Sequence, residues 1–401
     1  MSNVRGRQEE SSLDPDTAPA PRPAVLAVLL FCSTLTVMAG TLLVPVLGPM
    51  REDLAIDSTA AGLVLTAHGL SIAVAGPLAG RLMDRFGLRL PLACGLLLYA
   101  GAGGAGLVTT SFTALLVSRF LFGAGAAAVF TGTTVALLTL YRGAGRDRIV
   151  GWRSTAISLG GIAWPLFGGA LGAVSWHSPF AVYLVGLPAG VAVLVLLPRR
   201  LPPSPVTTGA SGGTAVMLRS PRLLRLYATS LTSSLLLYVL AVFVPQRLAE
   251  LGVERPLLVA LYTMTTSLSG SVAGLCYAKA RARLGYPSLL RTAAAAWVLA
   301  LLVAATVGQA APLLAAPALF GAGMGIAVPA LTVLIGENAP PDGRARATSL
   351  SGSAAFTGQF LSPLLFGPLA AATSIRTAFL VAAALAAIVL FGITQRRFGN
   401  E

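Results

Sequence analysis

Residues 24–46 read AVLAVLLFCSTLTVMAGTLLVPV, twenty-three positions without a charge. A helix rises 1.5 Å per residue, so about 20 such residues cross the ~30 Å hydrocarbon core of a bilayer. Outward from this run, others of spanning length recur at 59–80, 90–109, 113–136, 151–173, 179–198, 223–245, 257–278, 287–308, 312–335, 347–370 and 377–394. Short polar breaks separate them. Of 401 residues 55% are hydrophobic and 10% charged, and the mean hydropathy is +0.80. A soluble domain carries about a quarter charged residues, so this chain lacks the polar groups to cover itself in water. The expected fold class is an all-α membrane protein with twelve transmembrane helices. Packed membrane helices tolerate the glycines and prolines inside these runs. A barrel would need ten-residue alternating strands, and the sequence has none.

The net charge of +14 would suit nucleic acid if the bases shared one wet face. They punctuate the gaps instead. Twenty-three of the 28 basic residues fall in the breaks, or at the run edges beside them, on the side of the N-terminus, and only Arg51, Arg247, Arg255 and Arg376 on the other. Arg119 is placed inside a span. The positive-inside rule then puts both termini in the cytoplasm. Abundant alanine and arginine with a single lysine, Lys279, point to a GC-rich bacterial genome, hence to a multi-pass protein of the cytoplasmic (inner) membrane. Residues 1–22 read as a disordered cytoplasmic tail rather than a signal peptide. Cys32, Cys94 and Cys276 lie far apart inside apolar runs and read as membrane-core thiols.

The long interior break, 199–222, is rich in Pro, Gly, Ser and Thr and reads as a cytoplasmic linker. It separates six-helix bundles at 23–198 and 223–395, with a short tail at 396–401. A shift of 198 residues lays Leu121-Phe122-Gly123-Ala124-Gly125 on Leu319-Phe320-Gly321-Ala322-Gly323. The same shift lays Arg85-Phe86-Gly87 on Arg283-Leu284-Gly285, Gly145-Arg146 on Gly343-Arg344, Gly160 on Gly358 and Pro165 on Pro363. One gap-free offset through four segments indicates two six-helix pseudo-repeats around a central cavity.

After the second run comes Gly80-Arg-Leu-Met-Asp84-Arg85-Phe-Gly87-Leu-Arg89. It resembles the signature loop of the major facilitator superfamily, G-x-x-x-D-R/K-x-G-R-R/K, with Leu88 in place of the first base of the closing pair. The resemblance covers nearly the whole chain outside the tails and linker. It implies the major facilitator fold and a gating role for Gly80, Asp84, Arg85, Gly87 and Arg89. In the fourth run, Arg119-Phe-Leu-Phe-Gly123-Ala-Gly125 resembles the family's R-x-x-x-G-x-G segment, which implies proton coupling or gating at Arg119. A cation within a span costs several kcal/mol and faces a cavity or partner, unless it snorkels to the surface. The fifth run holds Gly151, Gly160, Trp164, Pro165, Gly168 and Gly169. This spacing resembles the antiporter signature G-x8-G-x3-G-P-x2-G-G, with Trp164 where a glycine is expected, and implies a seam that stops proton leakage in an exporter.

His68, near the middle of the second run, admits two readings: a proton relay or a neutral histidine bonded to a neighbouring helix. No Asp or Glu is placed within a span, which leans the substrate toward neutral, zwitterionic or anionic amphiphiles. No G-x4-G-K-[ST] loop, metal-ligand cluster or nucleophile triad occurs, so neither an enzyme nor a cofactor is expected. Candidate cavity residues are Phe31, Phe130, Tyr238, Met264, Met324 and Gln359, although helix packing also accounts for most of them. The expected function is secondary active transport by alternating access, as proton-coupled efflux of a small hydrophobic drug or metabolite (a multidrug-resistance type). Protons, the small-molecule substrate and the lipid bilayer are the expected partners of a monomer, with no nucleic acid. A nutrient importer of sugar or carboxylate, or a transport-inactive sensor or scaffold, are the alternatives.

Overall fold

The computed structural model describes residues 23–141, 143–198, 217–340 and 343–395, with the side chains of 143–147 and 345 left undescribed. Among these residues eleven helices are long and apolar enough to cross a membrane. One of them, Pro256–Thr306, has 51 residues and breaks at Gly285, whose φ of 71° no helix accommodates. It is therefore two spans, and the total is twelve. They are the first (Pro23–Asp53), second (Ser58–Phe86), third (Arg89–Leu107), fourth (Phe112–Leu140), fifth (Gly143–Gly172) and sixth (Ser178–Leu196). The seventh (Pro221–Glu250), the eighth and ninth (either side of Gly285), the tenth (Ala310–Asn338), eleventh (Arg344–Ala372) and twelfth (Ile375–Gln395) complete the second half.

Local chemistry sets several boundaries. Asp57 caps the second span by accepting from the Ala60 amide at 2.7 Å, and Ser220 caps the seventh by accepting from Leu223 at 3.4 Å. Gly87, with φ 77°, turns the chain between the second and third spans. Gly285, its partner under the 198-residue shift, does the same between the eighth and ninth. The predicted tails 1–22 and 396–401, and the linker from 199 to 216, lie outside the described residues. The rest of the predicted linker is ordered helix and cap: Met217 is buried beside Gly343, and the seventh helix starts at Pro221, two residues earlier than the sequence suggested.

The repeat extends to individual contacts. A methyl group on Gly123 would meet the carbonyl of His68 and the Ser71 side chain, and one on Gly321 would meet the carbonyl of Thr266 and the Ser269 side chain. Gly125 abuts Tyr99 and the Gly95 carbonyl; Gly323 abuts Trp297 and the Ala293 carbonyl. Each pair of neighbours differs by 198. Small residues let these backbones touch, which is how helices associate in lipid, where apolar burial drives little. Each half thus has its own core. The first is built on Tyr99, Phe122 and Tyr183, the second on Trp297 and Phe320.

Twelve crossings place the described ends, 23 and 395, on the same face as 196 and 221. This is called the linker face below, and the opposite one the far face.

Candidate functional site

The two halves meet along two lines related by the repeat. The fifth span packs on the eighth: Gly169 lies against the Pro256 carbonyl and Leu257, and Gly161 against Ser267. The eleventh packs on the second at the equivalent positions, Gly367 against Thr59 and Gln359 against Gly69. Both lines run from the far face to mid-depth and stop there. Toward the linker face, Gly76, Gly80, Gly151 and Gly352 have no heavy atom within 4 Å of where a side chain would begin. The halves are therefore joined on the far side and parted on the linker side, leaving a cleft that opens to the linker face.

Hydrogen bonds reinforce the far side. Ser58 Oγ donates to Gln246 Oε1 at 2.6 Å, and Arg51 Nη1 donates to Gln246 at 3.1 Å and to Ser58 at 3.2 Å. Gln246 Nε2 is held by the Val242 carbonyl at 3.1 Å. Arg51 and Ser58 belong to one half and Gln246 to the other, so this triad bridges the cleft's closed end. Sequence reasoning treated Arg51 only as an outward charge and missed Gln246. Neither lies in a recognised motif.

The loop Gly80–Arg89 lies on the linker face. Asp84 and Arg85 are exposed there, Arg85 over the Phe86 ring at 5.2 Å, and Arg89 donates to the Leu194 carbonyl of the sixth span. With the cleft open on this face, Gly80 is not pressed against another helix.

Arg119 does not snorkel. It is 1% exposed, and its Nη2 donates to the Gly103 carbonyl at 2.8 Å and to that of Ala102 at 3.2 Å. The rings of Phe122, Phe180 and Tyr183 stand 4.7, 5.1 and 5.2 Å from its Cζ. It is thus a cation caged by the third, fourth and sixth spans, inside one half rather than in the cleft. Buried His68 packs edge-on to Phe122 with ring centroids 6.0 Å apart. Phe122 therefore brings His68 and Arg119 into one cluster.

The fifth-span glycines serve two different neighbours. Gly160 and Gly168 press on Thr34, Val37 and Leu42 of the first span, Gly161 and Gly169 press on the eighth, and Gly172 lies against Val46 of the first with Pro256 of the eighth beyond. Trp164 faces the first span, where its Nε1 donates to the Thr34 carbonyl at 3.0 Å and its ring meets Phe31 at 6.4 Å. The departure from the resembled signature thus tightens a contact within one half and leaves the seam between halves unobstructed. Pro165 lies inside the helix, and Gly151 is clear of other atoms.

Among the cavity candidates, Phe130 is 39% exposed and meets Phe356 of the eleventh span edge-on at 5.9 Å, across the cleft. Tyr238 reaches over with its hydroxyl beside Gly40, and Gln359 Oε1 is buried beside Gly69 with no hydrogen bond. Met264 is half-buried, and half-buried Met324 packs on the second half's core. Phe31 is 37% exposed and sits against Trp164. Two further residues belong here. Phe356 was missed because its run reads as ordinary packing. Arg153 had been counted with the loops, yet it stands inside the fifth helix, with Nη2 donating to Thr134 Oγ1 at 2.9 Å.

Twelve apolar helices in two repeated halves, joined at one face and parted at the other around a cleft, define a membrane transporter. The sequence matches the family model of the Major Facilitator Superfamily over residues 29–290 and 255–398. The chain belongs to that superfamily. It is 30% identical over 175 residues to Multidrug resistance protein 1 of Bacillus subtilis (strain 168), a match covering 43% of this chain and 45% of that protein. It is also 30% identical over 153 residues to Quinolone resistance protein NorA of Staphylococcus aureus (strain N315), covering 38% of this chain and 39% of the relative. The chain thus spans less than half the length of these curated relatives. A crystal structure of a variant of the nucleoside transporter NupG superposes with a TM-score of 0.77 at 14% identity, over 92% of this chain and 99% of that one. That likeness speaks to the fold.

Proposed function

We propose that this transporter exports small hydrophobic compounds in exchange for protons, with the linker face and both termini in the cytoplasm. The observation that carries this reading is the fifth span's pair of small residues, Gly161 and Gly169, which sit directly against Ser267 and against Pro256, Leu257 and Ala260 of the eighth. Such a seam holds the far side tight while substrate enters from the linker side, as an exporter requires. Partial likeness to two drug-resistance proteins supports the same direction. The arginine asymmetry supports the sidedness. In this reading Asp84 and Arg85 latch the cytoplasmic mouth when it closes, and the Arg119–Phe122–His68 cluster responds to the proton. Substrate and proton each act only through different affinities for the two states.

The test is flux into proteoliposomes carrying an imposed pH gradient, with a neutral fluorescent dye as substrate. Gradient-driven movement against the dye's own gradient is expected, with loss in Asp84→Asn and Arg119→Ala variants inserted at normal levels. Wild-type flux in both variants would remove those residues from the mechanism. Because a nucleoside transporter shares the fold, uptake should be measured alongside efflux. A knockout defective on one carbon source with unchanged drug tolerance would indicate an importer.

A further inference from the structure

Arg153 is a cation at the cleft that the exporter scheme does not use. Its helix, the fifth, packs on the first and eighth spans, whereas the fourth packs on the second and third. Arg153 reaches between these two groups, to Thr134 Oγ1 at 2.9 Å and to within 5.8 Å of the Phe130 ring. Thr134 passes its own proton to the Phe130 carbonyl at 2.8 Å, so its hydroxyl is satisfied on both sides. No carboxylate among the described residues pairs with Arg153, and its Nε is buried without a hydrogen bond. A guanidinium has five donors in a planar fork; here one is used. Under the repeat its counterpart is Ser351, bonded to Ser230 at 3.1 Å, so packing at this position does not require a charge. Among the described residues, then, Arg153 is a cation with no carboxylate partner, set beside the Phe130 ring, which in turn meets Phe356 of the other half.

We propose that Arg153, Phe130 and Phe356 form an anion subsite that takes the carboxylate of an aromatic amphiphile. The carboxylate lies on the guanidinium fork, and the aromatic body lies against the two phenylalanines. Because Phe356 comes from the other half, the subsite changes when the halves rock, and its ligand discriminates between the two states. The inference rests on the exporter reading for the direction of transport, whereas binding stands without it.

The full-length protein, purified in an uncharged detergent, should bind 2-naphthoate more tightly than methyl 2-naphthoate in equilibrium dialysis. Arg153→Gln should weaken naphthoate on the order of tenfold or more, as loss of a charge-assisted contact does, and leave the ester unchanged. Arg153→Lys should fall between, since lysine keeps the charge and loses the fork, and Phe356→Ala should weaken both ligands. Equal binding of acid and ester by the wild type, or equal loss of both in Arg153→Gln, would overturn the assignment. Headgroup phosphate offers the same chemistry. If added phosphatidylglycerol abolishes naphthoate binding while phosphatidylcholine does not, the occupant is lipid and the solute subsite fails. Selective naphthoate binding without gradient-driven flux would sink the exporter and keep the subsite; dye efflux without selective binding would do the reverse.

Discussion

The Arg51–Ser58–Gln246 triad makes a signed prediction about the resting state. Gln246 is 7% exposed and accepts two hydrogen bonds from the other half. Both exist only while the far face is closed, so they stabilise the observed state relative to one open on that side. A neutral bond contributes about 1 kcal/mol net and one to a charged group about 1.5–3. Arg51 is half-buried, so screening reduces its share, and the pair is worth about 2–3 kcal/mol. Gln246→Ala removes both. At 1.4 kcal/mol per tenfold, the population open on the far side should rise by roughly 30- to 150-fold. Gln246→Glu should act oppositely, because an ionised carboxylate accepts from Arg51 and Ser58 more strongly.

Spin labels at Glu52→Cys and Glu254→Cys, exposed residues on the far face of opposite halves, would report the separation as a distance distribution. Cys94 and Cys276 are exposed and must first be replaced. A longer distance in the alanine variant and a narrower short one in the glutamate variant are expected. Identical distributions in the two variants would refute the claim that this triad sets the balance.

Three further outcomes follow from the same contacts. Gly169→Leu forces a side chain into the Pro256 carbonyl and Ala260, now 2.8 and 2.7 Å from where it would begin; overpacking of this kind costs about 1–3 kcal/mol or more, and gradient-driven flux should be lost while the protein still inserts. Arg119→Lys should lose flux nearly as fully as Arg119→Leu, because an ammonium cannot cover three rings and two carbonyls as the planar group does; wild-type flux with lysine would show that charge alone suffices. Tyr99→Phe removes a 2.8 Å bond to the Leu35 carbonyl; it should lower the melting temperature slightly, for about 0.6–1 kcal/mol, and leave flux intact.

Span number, the duplication and the signature loop were legible in the sequence because each depends on composition or local spacing. The lipid demands long uncharged runs, and a turn such as that at Gly87 demands a glycine. Five positions were less legible. Gln246, Ser58 and Phe356 are ordinary residues whose importance comes from what the other half brings to them, and one sequence holds no record of that pairing. Arg153 was visible but sat at a run's edge, where a cation is normally a loop anchor. Trp164 stands where the resembled signature has glycine, and the spacing does not say which neighbour its ring faces. Its indole turns to the first span.

The duplication copied packing but not the charges. At equivalent positions the first half carries His68, Asp84, Arg119 and Arg153, and the second Thr266, Ala282, Pro317 and Ser351. The contacts around them nonetheless match, Gly123 with the carbonyl of His68 and Gly321 with that of Thr266. The second half therefore shows what this architecture needs in order to fold, and the first shows what has been added. Ions within spans cost several kcal/mol, and equivalent positions without them pack as well. The second half has a buried cation of its own, Arg247, paired with Glu250 at 2.6 Å where the first half has Pro49; Arg119 and Arg153 differ in pairing with no carboxylate among the described residues, which makes them the ions to test in transport. Across the cleft, Tyr238 and Gln359 supply neutral polar contacts from the second half. In the proposed rocking motion Arg153 and Phe130 on one wall move against these neutral groups on the other.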